Sequence, residues 1–361
     1  MSAANRARVP DVARIEAQLA ELWRGTAGDG DPVTHACTLN LVVVCSDGME
    51  DLQAATNLVA RVAETEPGRA LVVSFPEDNR QDGDAEGGSV DGMQVYVSAH
   101  CHRGADGTQI CSEQITLEAR GAGRELIPAT VLQLLVGQLP VYTLWRRQEF
   151  GDDPLPRALL DMSDRFIANS GNRHDPLRAI RGLQRFAASV SGEGRTADIS
   201  WERVECWREA LASFFDAPTL RPSMEQITGL AIEASGPAGD GHVTAAGAYL
   251  AGWLASRLGW KRDQVRISFA AATDLPPREV ASVRIETSID GAPAALVARR
   301  IDPTSDVVLL SAETEKSCPL PWKIKLPARD DAALLCGLLQ RSRKDPIFDA
   351  ALNATCKGDT F

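Results

Sequence analysis

Two apolar runs, LNLVVVC from Leu39 and ALVVSF from Ala70, constrain the fold of this chain more than any other feature. Each is short, rich in β-branched valine and without alternation, which is the pattern of a strand buried on both faces. Between them Asp47 or Asp51 is placed to cap a helix running to about Glu64, and Pro67 with Gly68 supplies the turn back. Strand, helix and strand in this order make a βαβ unit, with its two strands parallel.

The surrounding sequence extends the pattern. A helix from about Asp11 to Trp23 precedes the unit, and the acidic stretch EDNRQDGDAEGGSVDG after it can bury nothing and reads as an exposed loop. Strands at about Met93–Cys101 and Gln109–Ala119 flank the turn-forming RGADG as a hairpin. The stripe Leu126, Ile127, Val131, Leu134, Leu135 predicts a helix that Pro140 stops, and the strand VYTLW follows at once. A helix near Arg157–Met162, the strand RFIANS and a helix near Pro176–Val190 come next.

In the second half, WERVECWREALASFFD reads as one amphipathic helix with Val204, Trp207, Leu211 and Phe215 on its apolar face. ITGLAIEAS is a strand that leads through GPAGDGH into a helix at His242–Leu258. Strands near Gln264–Ala271, Val280–Ile289, Ala294–Ile301 and Val307–Leu310 follow, then helices at Ala332–Leu339 and Pro346–Ala354. Both halves run strand, helix, strand, strand, strand. The reading is α/β: two similarly built α/β domains, 1–172 and 173–361, each with a mixed sheet flanked by helices.

With 361 residues, 44% of them apolar and 24% charged, the chain can bury sizeable cores. Its formal net charge of -11 repels phosphate backbones and anionic lipid, so neither nucleic acid nor a membrane is an expected partner. The longest apolar runs fall far short of the roughly 20 residues that cross a bilayer. The first residues lack the apolar core of a signal peptide, so a cytoplasmic protein is expected, and its eight cysteines are expected as free thiols, mostly small buried hydrophobes.

Motifs that carry chemistry are sparse. No GxGxxG follows a strand, and neither GxxxxGK[ST], GxSxG, HExxH nor CxxC occurs. GPAGDGH stands before a helix and could hold an anion, but without a positioned Lys or Arg it reads as a plain flexible turn. His100, Cys101, His102 and Cys111 are the one cluster of soft ligands, yet strand alternation puts Cys101 on the face opposite the two histidines. CSDG at Cys45 resembles a nucleophile turn without the glycine that a strained elbow needs. No catalytic residue, cofactor or metal is therefore expected.

Aromatic residues are the remaining signal. Trp201 and Trp207 fall on one expected helix, while Tyr249 and Trp253, with Trp260 beyond them, form a second stripe. Together with Trp145 and Arg208 they are the candidate partner-binding residues, because interface centres favour such side chains; a stripe at helical spacing is also what a core contains.

The phrases ICSEQITLEARG, LIPATVLQLLVGQLPVYTLWRR, DRFIANS, ISWERVECWREALASFFD and AAGAYLAGWLASRLGW, in this order, resemble the OpcA family of assembly and activating factors of bacterial glucose-6-phosphate dehydrogenase. The resemblance runs from about Ala54 to Leu326. It implies a non-catalytic protein that binds the dehydrogenase at the entry to the oxidative pentose phosphate pathway and promotes its active oligomer or raises its substrate affinity. The acidic loop from Glu77 and the tyrosine in PVYTLW depart from the family pattern. Redox control through cysteines, tied to cyanobacterial relatives, has no matched positions here. The alternatives are a small-molecule enzyme acting on a sugar phosphate or nucleotide, and a thiol-based redox sensor using Cys101 or Cys111 near Arg103.

Overall fold

A computed structural model describes residues 10–26, 33–46, 48–75, 92–103, 108–147, 150, 153–190, 194–236, 243–260, 264–314, 320–327, 329–341 and 344–356. The chain divides into two units, Met1–Ala168 with Asp331–Ser342, and Asn169–Asp330 with Arg343–Phe361.

The first unit opens with α1 (Val12–Thr26), β1 (Val33–His35), β2 (Asn40–Ser46), α2 (Met49–Ala63) and β3 (Arg69–Phe75). The long hairpin β4 (Gly92–Arg103) and β5 (Gln109–Arg120) comes next, then α3 (Ile127–Leu134), β6 (Val141–Trp145), α4 (Pro154–Asp161) and β7 (Arg165–Ala168). Strands β5, β3, β2, β6 and β7 lie side by side in parallel, β1 is parallel to β5, and β4 is antiparallel to β5, on its outer side. The sheet is therefore mixed. Val42, Val43 and Val44 of β2 and Leu71, Val72 and Val73 of β3 are fully buried, as parallel strands covered on both faces require.

Two buried polar side chains tie this unit together. The Asn40 side chain donates to the Val136 carbonyl at 3.0 Å and accepts from the Val136 N–H at 2.8 Å, pinning the loop that feeds β6. Arg69 bridges Glu113 at 2.5 Å and Glu16 at 2.7 Å and donates to the Leu134 carbonyl at 2.9 Å. Asp51 does not cap α2. Gly48 holds that position, while Asp51 accepts from the Ser46 N–H at 2.8 Å and pairs with Arg146 at 2.5 Å; Asp47 lies outside the described residues.

The second unit contains α5 (Pro176–Ser189), β8 (Thr196–Asp198), α6 (Ile199–Arg203), α7 (Glu205–Ser213), β9 (Gly229–Ala234) and α8 (Ala245–Leu258). It continues with β10 (Arg266–Ala271), β11 (Val280–Ile289), β12 (Ala292–Arg300), β13 (Val307–Thr314) and β14 (Trp322–Lys325). Helices α9 (Asp331–Gln340) and α10 (Pro346–Cys356) close the chain. The sheet order is β10-β9-β11-β12-β13-β14, with β10 and β9 parallel and every other pair antiparallel. Asp290 at φ 51° and Gly291 at φ 77° make the tight β11–β12 turn, two positive-φ positions that Asp-Gly accommodates.

Both units run strand, helix, strand, strand, strand, here β2-α2-β3-β4-β5 and β9-α8-β10-β11-β12. Their strand orders differ. In the first unit β3 lies between β2 and β5, whereas in the second β10 is the edge and β9 pairs β11.

Three expectations need correction. The two closing helices part company: α9 belongs to the first unit, where the apolar run ALLCGLL packs against α2. WERVECWREALASFFD is not one helix, because the chain breaks at Val204 (φ −92°, ψ 8°). At about 100° per residue, Trp201 and Trp207 would diverge around a continuous helix; the break lets both be buried. Phe214, not Phe215, then completes the apolar face. Cys101 and Cys111 are not free thiols: they stand directly opposite in the β4–β5 register and form a disulfide. Most of the acidic stretch, and GPAGDGH apart from its first glycine, lie outside the described residues.

Candidate functional site

The densest polar and aromatic cluster is in the second unit, around Asp198. This residue ends β8 and caps α6, accepting from the Ser200 N–H at 2.8 Å and the Ser170 N–H at 3.2 Å. Tyr249 of α8 donates its hydroxyl to the other carboxylate oxygen at 2.9 Å. Asp198 is fully buried, and that burial pushes its pKa above the ordinary carboxylate range although hydrogen bonding from Ser200, Ser170 and Tyr249 opposes the shift. Burial, followed by the Asp198 charge, likewise holds the Tyr249 hydroxyl well above its usual value.

Trp201 seals this network. Its ring meets Tyr249 edge-on at 6.0 Å and Phe348 of α10 at 5.7 Å, and its Nε1 donates to Asp345 at 2.9 Å. Arg208 lies over the same ring, 3.5 Å from its centroid, and donates to the Trp201 carbonyl at 2.6 Å. Burial lowers the Arg208 pKa to about 10, against the pull of Asp345 and three glutamates. The cluster is a packed tie between α6, α8 and α10.

The seven candidate partner-binding residues therefore separate. Trp145 (1% exposed, against Phe150 and Phe166), Trp201 (2%), Trp207 (3%) and Tyr249 (0%) are core side chains, so none is an exposed anchor. Arg208, Trp253 and Trp260 are half-buried, and of the aromatic set only Trp253 and Trp260 reach the surface. The reason is geometric. The stripe of α8 that faces inward passes through Tyr249, Leu250 and Leu254, and Trp253 sits at its margin.

Beside the start of α8, Gly171, Ser200, Arg203, Ser235, Thr244 and Arg278 line a small depression. Thr244 caps the helix by accepting from Gly247 N–H at 3.0 Å. Both arginines are engaged by the protein: Arg278 donates to Asn172 at 2.6 Å and Arg203 to the Arg329 carbonyl at 3.2 Å. Cys45 is buried at the end of β2, where burial pushes its thiol up to about 12, the opposite of an activated nucleophile. His100 contacts Gln114 at 2.8 Å, and among the described residues no three His, Cys, Asp or Glu side chains form a metal-binding group. No described helix is long and apolar enough to cross a membrane.

Asp198 is the residue that sequence reasoning passed over. Its signal was present, an Asp directly before the helical ISWER, but its burial depends on Tyr249, which lies 51 residues later in the chain.

Comparison with known proteins supplies the context. The model of the glucose-6-phosphate dehydrogenase subunit N-terminal domain matches residues 59–185, and that of the C-terminal domain of the same subunit matches 195–352. An OxPP cycle protein OpcA of Nostoc punctiforme is 30% identical over 176 residues, 48% of this chain and 36% of that protein. Its Synechocystis counterpart is 28% identical over 239 residues, 63% of this chain and 47% of that protein. The matched segments thus span between about a third and a half of these relatives.

An oxidoreductase of Sinorhizobium meliloti aligns with 89% of this chain and 95% of its own, at 11% identity and a TM-score of 0.41. KijD10, a 3-ketoreductase from Actinomadura kijaniata, gives 12% identity and a TM-score of 0.40 over 88% of this chain and 94% of its own. Likeness at that level carries no argument about chemistry. The two domain models follow one another along most of the chain in the order of the two units, and the chain belongs to the OpcA family, the glucose-6-phosphate dehydrogenase subunit family.

Proposed function

We propose that this protein is a non-catalytic cytoplasmic partner of glucose-6-phosphate dehydrogenase that promotes the enzyme's active oligomer or raises its affinity for substrate, at the entry to the oxidative pentose phosphate pathway. The observation that carries the reading is the pair of domain matches, both described as parts of a subunit of that dehydrogenase and together reaching from residue 59 to residue 352. The engagement of Asp198, Tyr249 and Arg278 by neighbouring protein groups agrees with a structural rather than a chemical role for these three.

A partner of this kind acts through differential affinity. It shifts the enzyme toward its active state only in so far as it binds that state more tightly than the inactive one. Trp253 and Trp260, half-buried, are aromatic groups that can anchor such a contact.

The test is the rate of NADPH formation by the same organism's dehydrogenase across substrate concentrations, with and without this protein, joined to co-elution on a sizing column. A saturable gain in rate or apparent substrate affinity with co-elution is expected. No gain and no co-elution, under both reducing and oxidising conditions, overturns the reading.

A further inference from the structure

Among the described residues, strand β4 lies at an outer edge of its sheet, paired with β5 alone. Its twelve residues pair with β5 in an unbroken register from Gly92 opposite Arg120 to Arg103 opposite Gln109. Cys101 and Cys111 are directly opposite with Cα atoms 4.1 Å apart, the close spacing of a non-hydrogen-bonded pair. The N–H and C=O of Cys101 therefore point away from β5, and by the two-residue period so do those of Ala99, Val97, Val95 and Met93. Among the described residues none of these backbone groups has a hydrogen-bond partner across that edge.

Edges of this length are ordinarily protected by a charged side chain, a proline or a bulge. The outer strands of the second unit's sheet are: β14 is four residues long and carries Lys323 and Lys325, and β10 carries Arg266. Between Gly92 and His102, β4 has no Asp, Glu, Lys, Arg or Pro and no bulge, and Tyr96 stands 51% exposed on it. Such a strand in a protein that stays dispersed is a strand that another strand covers.

We propose that the free edge of β4 pairs antiparallel with the same edge of a second copy of this chain, joining two sheets across a two-fold axis. A register centred on Val97 is self-complementary. It sets Val97 against itself, Val95 against Ala99 and Met93 against Cys101, so each outward N–H meets an outward C=O and the side chains on that face are small or apolar. The absence of formally charged residues from Gly92 to His102 suits a second copy in particular. Two chains of net charge -11 repel wherever charged surfaces meet, and β4 is a neutral line along which they can approach.

This pairing is read on the chain alone, without the dehydrogenase, so its failure leaves the proposed function standing. The test is sedimentation of the purified full chain at micromolar concentration, together with hydrogen exchange resolved to single amides. The wild type is expected to sediment at twice the chain mass, with the Val95, Val97 and Ala99 amides protected. Val97→Pro removes only an outward N–H, and Tyr96→Lys places a charge beside its symmetry mate. Each is expected to give monomers with unchanged circular dichroism, and Tyr96→Lys together with the exchange data decides if Val97→Pro does not fold. A wild type that is monomeric, that engages β4 only with a different protein, or that stays dimeric in both variants with those amides exchanging freely overturns the proposal.

Discussion

Gly252 of α8 faces Thr355 of α10 so closely that a Cβ on residue 252 would lie 2.0 Å from the Thr355 hydroxyl oxygen and 2.7 Å from the Ala351 carbonyl. The Ala- and Gly-rich α8 owes its tight packing on α10 to this absence of a side chain.

Gly252→Ala is therefore expected to destabilise the second unit by about 1–3 kcal/mol, despite the better helix propensity of alanine, because overpacking outweighs the propensity gain. Thr355→Ala in the same chain should recover only part of that loss, since the Ala351 carbonyl stays in place. Denaturant midpoints of the single and double variants measure both effects.

Asp198 makes a signed prediction about pH. Its folded pKa is raised above the ordinary 3.8, so between that value and the folded pKa the native state holds more protons than the unfolded chain. Stability from this group is full below the ordinary value and is lost as pH rises through the folded pKa. Asp198→Asn keeps the shape and removes the titration, so its melting temperature relative to wild type should improve progressively as pH rises above the ordinary carboxylate range. Tyr249→Phe leaves the buried carboxylate with one donor fewer and should cost about 1–3 kcal/mol near neutrality.

The Cys101–Cys111 bridge closes a short hairpin, with a sequence separation of 10. Its reduction is expected to lower stability by on the order of 2 kcal/mol, a small-loop effect on the unfolded chain. Thermal melts with and without a reductant should differ for the wild type and coincide for Cys101→Ser.

Trp201 and Trp253 should separate core from contact. Trp201→Ala removes a side chain packed against Tyr249 and Phe348 and is expected to cost about 3–5 kcal/mol of folding stability. Trp253→Ala is expected to melt close to wild type while weakening binding to the dehydrogenase by about 2 kcal/mol or more, read as a rightward shift in the activation titration. If Trp253→Ala melts early and activates normally, the half-exposed ring belongs to the fold.

What the sequence determined by itself lies in its local patterns. Short valine-rich runs without alternation, bounded by turn signals, read as strands covered on both faces, so β2, β3 and the α2 crossover were legible, as was the β4–β5 pairing. The order strand, helix, strand, strand, strand was legible in both halves for the same reason. Short strands such as β1, β8 and β14 were not, because three or four residues show no period. Tertiary structure alone decided matters that depend on residues far apart in the chain: that α9 returns to the first unit, that the helix breaks at Val204 and both its tryptophans are buried, and that Asp198 is buried beneath Tyr249. It also decided which aromatic residues face outward. Periodicity marks an apolar stripe but does not say whether the stripe meets a core or a partner, and only the packing of α6, α8 and α10 placed Trp201 inside and left Trp253 at the margin.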